Sequence, residues 1–91
     1  MNIPQITDID IAISIYYRYS EISAKEIIQL FNKHSKSTVG RLKKLAQRRM
    51  IEENVYTYGM YKVNTDCAYR AWGLNIEDLE KRRNKLQKLR L

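Results

Sequence analysis

The sequence predicts a small, mainly α-helical domain with one short β-hairpin. Apolar residues recur at helical spacing in several stretches, and a residue that can cap a helix precedes each of them. Residues 55–64 instead are rich in tyrosine, valine and threonine, which favour strands. The 91 residues include only three glycines and one proline, which argues against long linkers or disorder.

The first helix is predicted over residues 7–20, where Thr7 or Asp8 can act as the N-cap. Isoleucine stands at every second position from Ile9 to Ile15, and this alternation also fits a half-buried strand. The stretch is long for a strand and also satisfies helical spacing. We therefore expect a helix here.

A second, shorter helix is predicted over residues 23–32. Ser23 and Glu26 have the spacing of a capping box, in which two side chains satisfy free backbone N–H groups at the start of a helix. Residues 32–35 then form a turn that ends at Ser35, the expected N-cap of the third helix. The order helix, turn, helix follows from this pattern.

The third helix, predicted over residues 35–49, has two different faces. On a helical wheel one face is apolar and is expected to pack into the core: it consists of Val39, Leu42, Leu45, Ala46 and Met50. The opposite face is a continuous line of polar and small residues, here called the polar stripe: Ser37, Gly40, Arg41, Lys44 and Arg48.

Residues 55–64 are predicted to form a hairpin around a type II′ turn at Gly59-Met60. That register pairs Tyr58 with Tyr61, and Tyr56 with Val63, on one apolar face. Tyrosines in a basic protein can stack on single-stranded bases. We expect the seven tyrosines instead to contribute to packing of the core and the hairpin, with their hydroxyl groups reaching water.

Two helices are predicted after the hairpin. A short helix over residues 66–72 has Thr65 or Asp66 as its cap and ends at Gly73, with Trp72 anchoring the C-terminal segment to the domain. The last helix begins after the cap Asn75 and runs to about Leu89, with acidic residues first and basic residues last, as the helix dipole favours. Its apolar stripe can pack on its own domain or on a partner chain: Ile76, Leu79, Leu86 and Leu89.

The net charge of +7 is concentrated in one part of the chain. Residues 27–51 contain no aspartate or glutamate, while the basic residues outside this stretch equal the acidic residues in number. Positive charge that no nearby acidic residue offsets predicts an anionic partner, above all nucleic acid. Its basic residues are Lys33, Lys36, Arg41, Lys43, Lys44, Arg48 and Arg49.

The order of these elements resembles the winged helix-turn-helix domain of small bacterial and phage transcription regulators. The resemblance rests on ISAKEIIQLF (22–31), SKSTVGRLKKLAQRRMIEE (35–53) and VYTYGMYKV (55–63). These stretches match the positioning helix, the recognition helix with the step after it, and the wing. Arg49-Met50 stand where the family usually has a glycine, and the wing turn is very short. The resemblance implies a three-helix core with a two-stranded wing over residues 1–74, and a C-terminal helix, 75–91, as a candidate dimerisation element.

The polar stripe then becomes the expected DNA-binding surface. Arg41 is the best candidate for a base contact, because its guanidinium can bridge O6 and N7 of guanine. Ser37 and Gly40 are small enough to let the helix approach the groove, and Ser37 and Thr38 can donate to a phosphate or a base edge. Lys62 is expected to touch the DNA backbone or minor groove from the wing. The expected phosphate contacts are Lys36, Lys43, Lys44 and Arg48.

The sequence therefore predicts a cytoplasmic regulator, expected to be a repressor, that binds double-stranded DNA sequence-specifically as a homodimer. We expect no catalytic activity, cofactor, metal, small-molecule ligand or membrane segment, since His34 and Cys67 stand alone and no signal-peptide or membrane-spanning pattern is evident. Two alternatives stay open. One is a winged-helix module for protein–protein assembly in replication or plasmid maintenance, and the other is a basic RNA-binding protein.

Overall fold

A computed structural model describes residues 3–89, in which five helices surround a small antiparallel sheet of two short strands. The prediction of a mainly helical fold is confirmed at this level. In chain order the elements are α1 (Ile9–Arg18), β1 (Glu21–Ile22), α2 (Ala24–Phe31), α3 (Lys36–Glu52), β2 (Val63–Asn64), α4 (Thr65–Ala71) and α5 (Ile76–Leu89).

The predicted caps of the first two helices are present. The carboxylate of Asp8 accepts hydrogen bonds from two backbone N–H groups of α1 at 2.8 and 3.3 Å, so the isoleucine-rich stretch is a helix and not a strand. The carboxylate of Glu26 accepts from the backbone N–H of Ser23 at 2.8 Å, as the capping box predicts. Asn32 ends α2 in the left-handed conformation, with φ of 52°.

Helix α3 begins at Lys36, directly after the predicted N-cap Ser35, and ends three residues later than expected, at Glu52. The predicted apolar face is the buried one. Leu45 is half-buried at its edge, and the fully buried side chains are Val39, Leu42, Ala46 and Met50. They pack against α2, α4 and β2.

An aromatic cluster joins α4 to the rest of the core. The Trp72 ring stands edge-on to Phe31, and its indole N–H donates to the backbone oxygen of Leu42 at 2.8 Å. The buried hydroxyl of Tyr69 donates to the backbone oxygen of Ala12 at 2.6 Å. Both polar atoms thus have partners inside the core. The prediction that Trp72 anchors the C-terminal segment is confirmed.

The predicted hairpin over residues 55–64 is wrong. Strand β2 pairs with β1, in a register that places Val63 opposite Ile22, and residues 55–62 contain no strand. A type II′ turn needs positive φ at Gly59, but the residue with positive φ in this segment is Tyr61, at 63°. The reason is burial: Ile22 and Val63 are both fully buried, so their pairing closes the core and Val63 is not available to Tyr56.

The last two helices begin and end close to the predicted positions. The cap of α4 is Asn64 and not Thr65 or Asp66, because the Asn64 side chain accepts from the N–H of Cys67 at 2.9 Å. Helix α5 packs against α1 and adds Leu79 to the common core. None of the helices within residues 3–89 has the length and apolar content that a membrane-spanning helix needs.

Candidate nucleic-acid interface

The polar stripe of α3 faces away from the core along the whole helix. Ser37, Arg41, Lys44 and Arg48 are exposed, and Gly40 is half-buried between them. Lys36 is also exposed, in the first turn of α3, whereas Thr38 is half-buried. The segregation of an apolar and a polar face that the sequence predicts is therefore present in the fold.

In the described part of the chain, the basic side chains of the polar stripe form no salt bridge. Within residues 3–89 the salt bridges connect Glu53 and Asp66 with Arg49 and Arg70, and none of them includes a side chain of the polar stripe. Their positive charge is therefore available to attract an anion that approaches this surface.

The backbone of α3 is accessible at Gly40. A Cβ atom added to this glycine would have no heavy atom outside its own helix within 4 Å. No tertiary contact therefore demands glycine, and a partner can approach the helix closely at this point. Glycine in a helix lowers stability by about 1 kcal/mol relative to alanine, so its presence here has a cost that packing does not explain.

Two further lysines among the expected contacts also lie outside the polar stripe. Lys43 is half-buried, and its Nζ lies 5.9 Å from the centroid of the Tyr61 ring, within reach of a cation–π interaction. Lys62 is exposed, and its side chain lies against Gly59, where an added Cβ would come within 2.6 Å of the lysine Cδ. Lys62 ends the segment between α3 and β2, and Lys43 contacts this segment at Tyr61.

That segment, residues 55–62, is here called the tyrosine loop. The carboxylate of Glu21 accepts hydrogen bonds from the backbone N–H groups of Tyr58 at 2.7 Å and Gly59 at 2.9 Å. These two bonds lower the pKa of Glu21 below its ordinary value. The hydroxyl of Thr57 also donates to the backbone oxygen of Lys62 at 3.3 Å. The loop is thereby attached to the sheet and folded on itself.

Large side chains of the tyrosine loop point into solvent. The exposed fraction is 83% for Tyr56, 101% for Tyr58, 79% for Met60 and 78% for Tyr61. For these tyrosines the expectation of packing is wrong, because the strand pairing on which it depended does not form, whereas Tyr69 is buried in the core as expected. The sequence shows that the tyrosines alternate, but their burial or exposure depends on the tertiary fold.

The C-terminal end of α3 is held by an ion-pair network with α4. The guanidinium of Arg70 donates to both oxygens of Glu53 at 2.7 Å and to Asp66 at 3.0 Å. The bonds from Arg70 lower the pKa of Glu53. A bidentate pair of this kind fixes direction as well as distance. It holds the end of α3, and with it the start of the tyrosine loop, against α4.

The surroundings of His34 and Cys67 do not favour metal binding or a reactive thiol. His34 is exposed in the turn between α2 and α3. Cys67 is buried, and burial raises the pKa of its thiol. In the part of the chain that the structure describes, no three His, Cys, Asp or Glu side chains are grouped so that they could hold a metal ion.

Comparison of the chain with protein-family models, with curated proteins and with solved structures gives no significant match.

Proposed function

We propose that the chain binds double-stranded DNA sequence-specifically, with α3 in the major groove, and acts in the cytoplasm as a transcriptional regulator of the winged helix-turn-helix class. Repression is the expected mode. The observation that carries the proposal is the pair of faces on α3: one is buried against the core, and the other presents Arg41, Lys44 and Arg48, which form no salt bridge with an acidic group of residues 3–89.

The dimensions of α3 suit this role. Its 17 residues correspond to a length of about 25 Å at 1.5 Å per residue. The major groove is about 12 Å wide and accepts a single α-helix. Ser37 and Gly40, in the first half of α3, let the helix come close to the base edges. Arg41, one residue further on, is then the side chain best placed to recognise a guanine.

Lys44 and Arg48 follow Arg41 on the same face at one-turn spacing, so they suit phosphates along the wall of the groove. Gln47, which the sequence analysis did not single out, is exposed between them. A glutamine side chain can form two hydrogen bonds with adenine. We therefore add Gln47 to the candidate contacts.

A homodimer is part of the proposal. The first half of the apolar stripe of α5 is used within the chain, since Leu79 is buried and Ile76 is half-buried. Leu86 and Leu89, near the end of α5, are 43% and 83% exposed. A second copy that covers these leucines would place two α3 helices on one duplex, and each would contact one half-site.

Selection of bound sequences from a random pool of duplexes tests the proposal. Recovery of a common motif with two inverted half-sites is the expected result, since it reports binding, specificity and symmetry together. Recovery of unrelated sequences would contradict specific recognition. A stronger preference for structured RNA in a parallel selection would favour the RNA-binding alternative.

A further inference from the structure

The tyrosine loop exposes large aromatic and apolar side chains that are more often buried in folded proteins. Within six residues it carries three tyrosines and one methionine that are each at least 78% exposed. Single exposed apolar residues are common on protein surfaces, but a contiguous group of large ones marks an interaction site.

The loop is nevertheless well attached. Glu21 holds two successive backbone N–H groups at its tip, and β2, directly after the loop, pairs with β1. Tyr61 adopts a positive φ, a backbone conformation that is unfavourable for residues with bulky side chains. The loop thus has a defined conformation while its large side chains stay exposed.

The surroundings of the loop favour a polyanion with flat, apolar groups. Lys62 is the last residue of the loop, Lys43 of α3 lies next to the Tyr61 ring, and the polar stripe of α3 continues the positive surface. An adjacent groove of about 460 Å³ is lined by four apolar and three polar residues, and the apolar ones include Met50, Ile51 and Tyr56. Unpaired nucleotides combine phosphates with free base faces, and aromatic rings next to basic residues are the usual way to bind them.

We propose that the tyrosine loop is a stacking surface for unpaired bases, so that the chain binds a duplex with a single-stranded extension more tightly than a blunt duplex. This inference rests on the proposed contact between α3 and the duplex. The loop follows the C-terminal end of α3, and its Tyr61 ring lies next to Lys43 of that helix, so unpaired bases that extend from a bound duplex would meet the loop while α3 stays in the groove. Paired bases cannot stack in this way, because their faces are already covered by their neighbours.

Fluorescence anisotropy with three probes tests the inference. The first probe is a blunt duplex, the second has the same duplex with a single-stranded tail of about six thymidines, and the third has a tail of abasic nucleotides. We expect the thymidine tail to increase affinity about fivefold or more, since stacking of one base on an aromatic ring has at least that effect. The abasic tail, which keeps the phosphates without the bases, is expected to give a much smaller gain.

Substitutions at Tyr58 separate stacking from apolar contact. Tyr58→Phe keeps the ring and should preserve the gain, whereas Tyr58→Leu keeps an apolar side chain and should remove it. Tyr17→Leu is the matched control, because Tyr17 is an exposed tyrosine on α1 that donates to Glu80 of α5 and is not part of the loop. A 2-aminopurine in the tail should be quenched on binding to the wild-type chain and to Tyr58→Phe only.

The outcomes distinguish this inference from the proposed function. Equal affinity for blunt and tailed duplexes, or a full gain in Tyr58→Leu, would overturn the stacking role and leave the duplex contact of α3 intact. Loop-dependent self-association or binding to anionic vesicles, without a tail effect, would overturn it in favour of a protein or membrane partner. Failure to bind the blunt duplex at all would instead count against the proposed function.

Discussion

The indole Nε1 of Trp72 donates a hydrogen bond of 2.8 Å to the backbone oxygen of Leu42, at the middle of α3. Leu42 lies on the buried face of α3, and Trp72 follows the last residue of α4. This bond, together with the edge-on contact between Trp72 and Phe31, links the end of α4 to both α2 and α3. Trp72 thus helps to hold the apolar face of α3 against the core, which leaves the polar stripe exposed.

Replacement of Trp72 by phenylalanine is expected to lower the free energy of unfolding by about 1–2 kcal/mol, because a buried hydrogen bond and some apolar contact are lost. The loss stays moderate, since the Leu42 oxygen keeps its acceptor role within α3. Urea denaturation measures the change. Tyr58→Phe, at a fully exposed site, is the control and should leave stability unchanged. An equal effect of both substitutions would refute the anchoring role.

Gly40→Ala should affect stability and binding in opposite directions. Alanine has the higher helix propensity, and the added Cβ meets no neighbour, so the free energy of unfolding should rise by up to about 1 kcal/mol. The same methyl group would hold α3 away from the base edges and weaken binding to a selected duplex. Thermal melts and anisotropy measure the two effects. A variant that is more stable and binds as tightly as the wild type would show that close approach at Gly40 is not needed.

The attachment of the tyrosine loop should depend on pH. Glu21 has a lowered pKa in the folded chain, so its hydrogen bonds to Tyr58 and Gly59 stabilise the loop above the pKa of an unfolded glutamate. That contribution is lost as the pH falls through the lowered, folded-state pKa. The backbone amide resonances of Tyr58 and Gly59 should therefore shift with a midpoint below about 4.3, the ordinary value for glutamate. In Glu21→Gln this transition should vanish, and a midpoint at or above the ordinary value would argue against the anchor.

The end of α5 carries the predicted dimer contact. Replacement of both Leu86 and Leu89 by serine should convert a dimer to a monomer in sedimentation equilibrium, because both side chains are exposed in the single chain. The fold should persist, in contrast to removal of α5, which would also remove Leu79 from the core. Circular dichroism checks this. An unchanged mass in solution would refute the role of these leucines.

The helices could be predicted from the sequence because the interactions that start them are local. The caps at Asp8, Ser23 and Asn75 lie within three residues of the N–H groups or side chains that they bind. The two faces of α3 also follow from the spacing of its apolar residues at three or four positions, and the face that this spacing predicts to be apolar is the buried one. Local spacing was therefore sufficient to predict the polar stripe.

The sheet and the tyrosine loop could not be predicted in the same way. Pairing of Val63 with Ile22, and the bonds from Tyr58 and Gly59 to Glu21, join residues that are far apart in the sequence. A local pattern of alternating tyrosines favoured a hairpin, but burial of Ile22 against Val63 decided the pairing. The orientation of the tyrosines is a consequence of this tertiary contact.

Binding of a selected duplex over a series of salt concentrations tests the central claim most directly, since α3 is proposed to contribute both base and phosphate contacts. The wild type should bind with a steep inverse dependence on salt. Lys44→Ala should weaken binding to all duplexes alike and reduce the salt slope by about one. Arg41→Ala should reduce the preference for the selected sequence and cost about 1–3 kcal/mol on it. Absence of duplex binding at low salt, or identical behaviour of the two variants, would contradict the proposed role of α3.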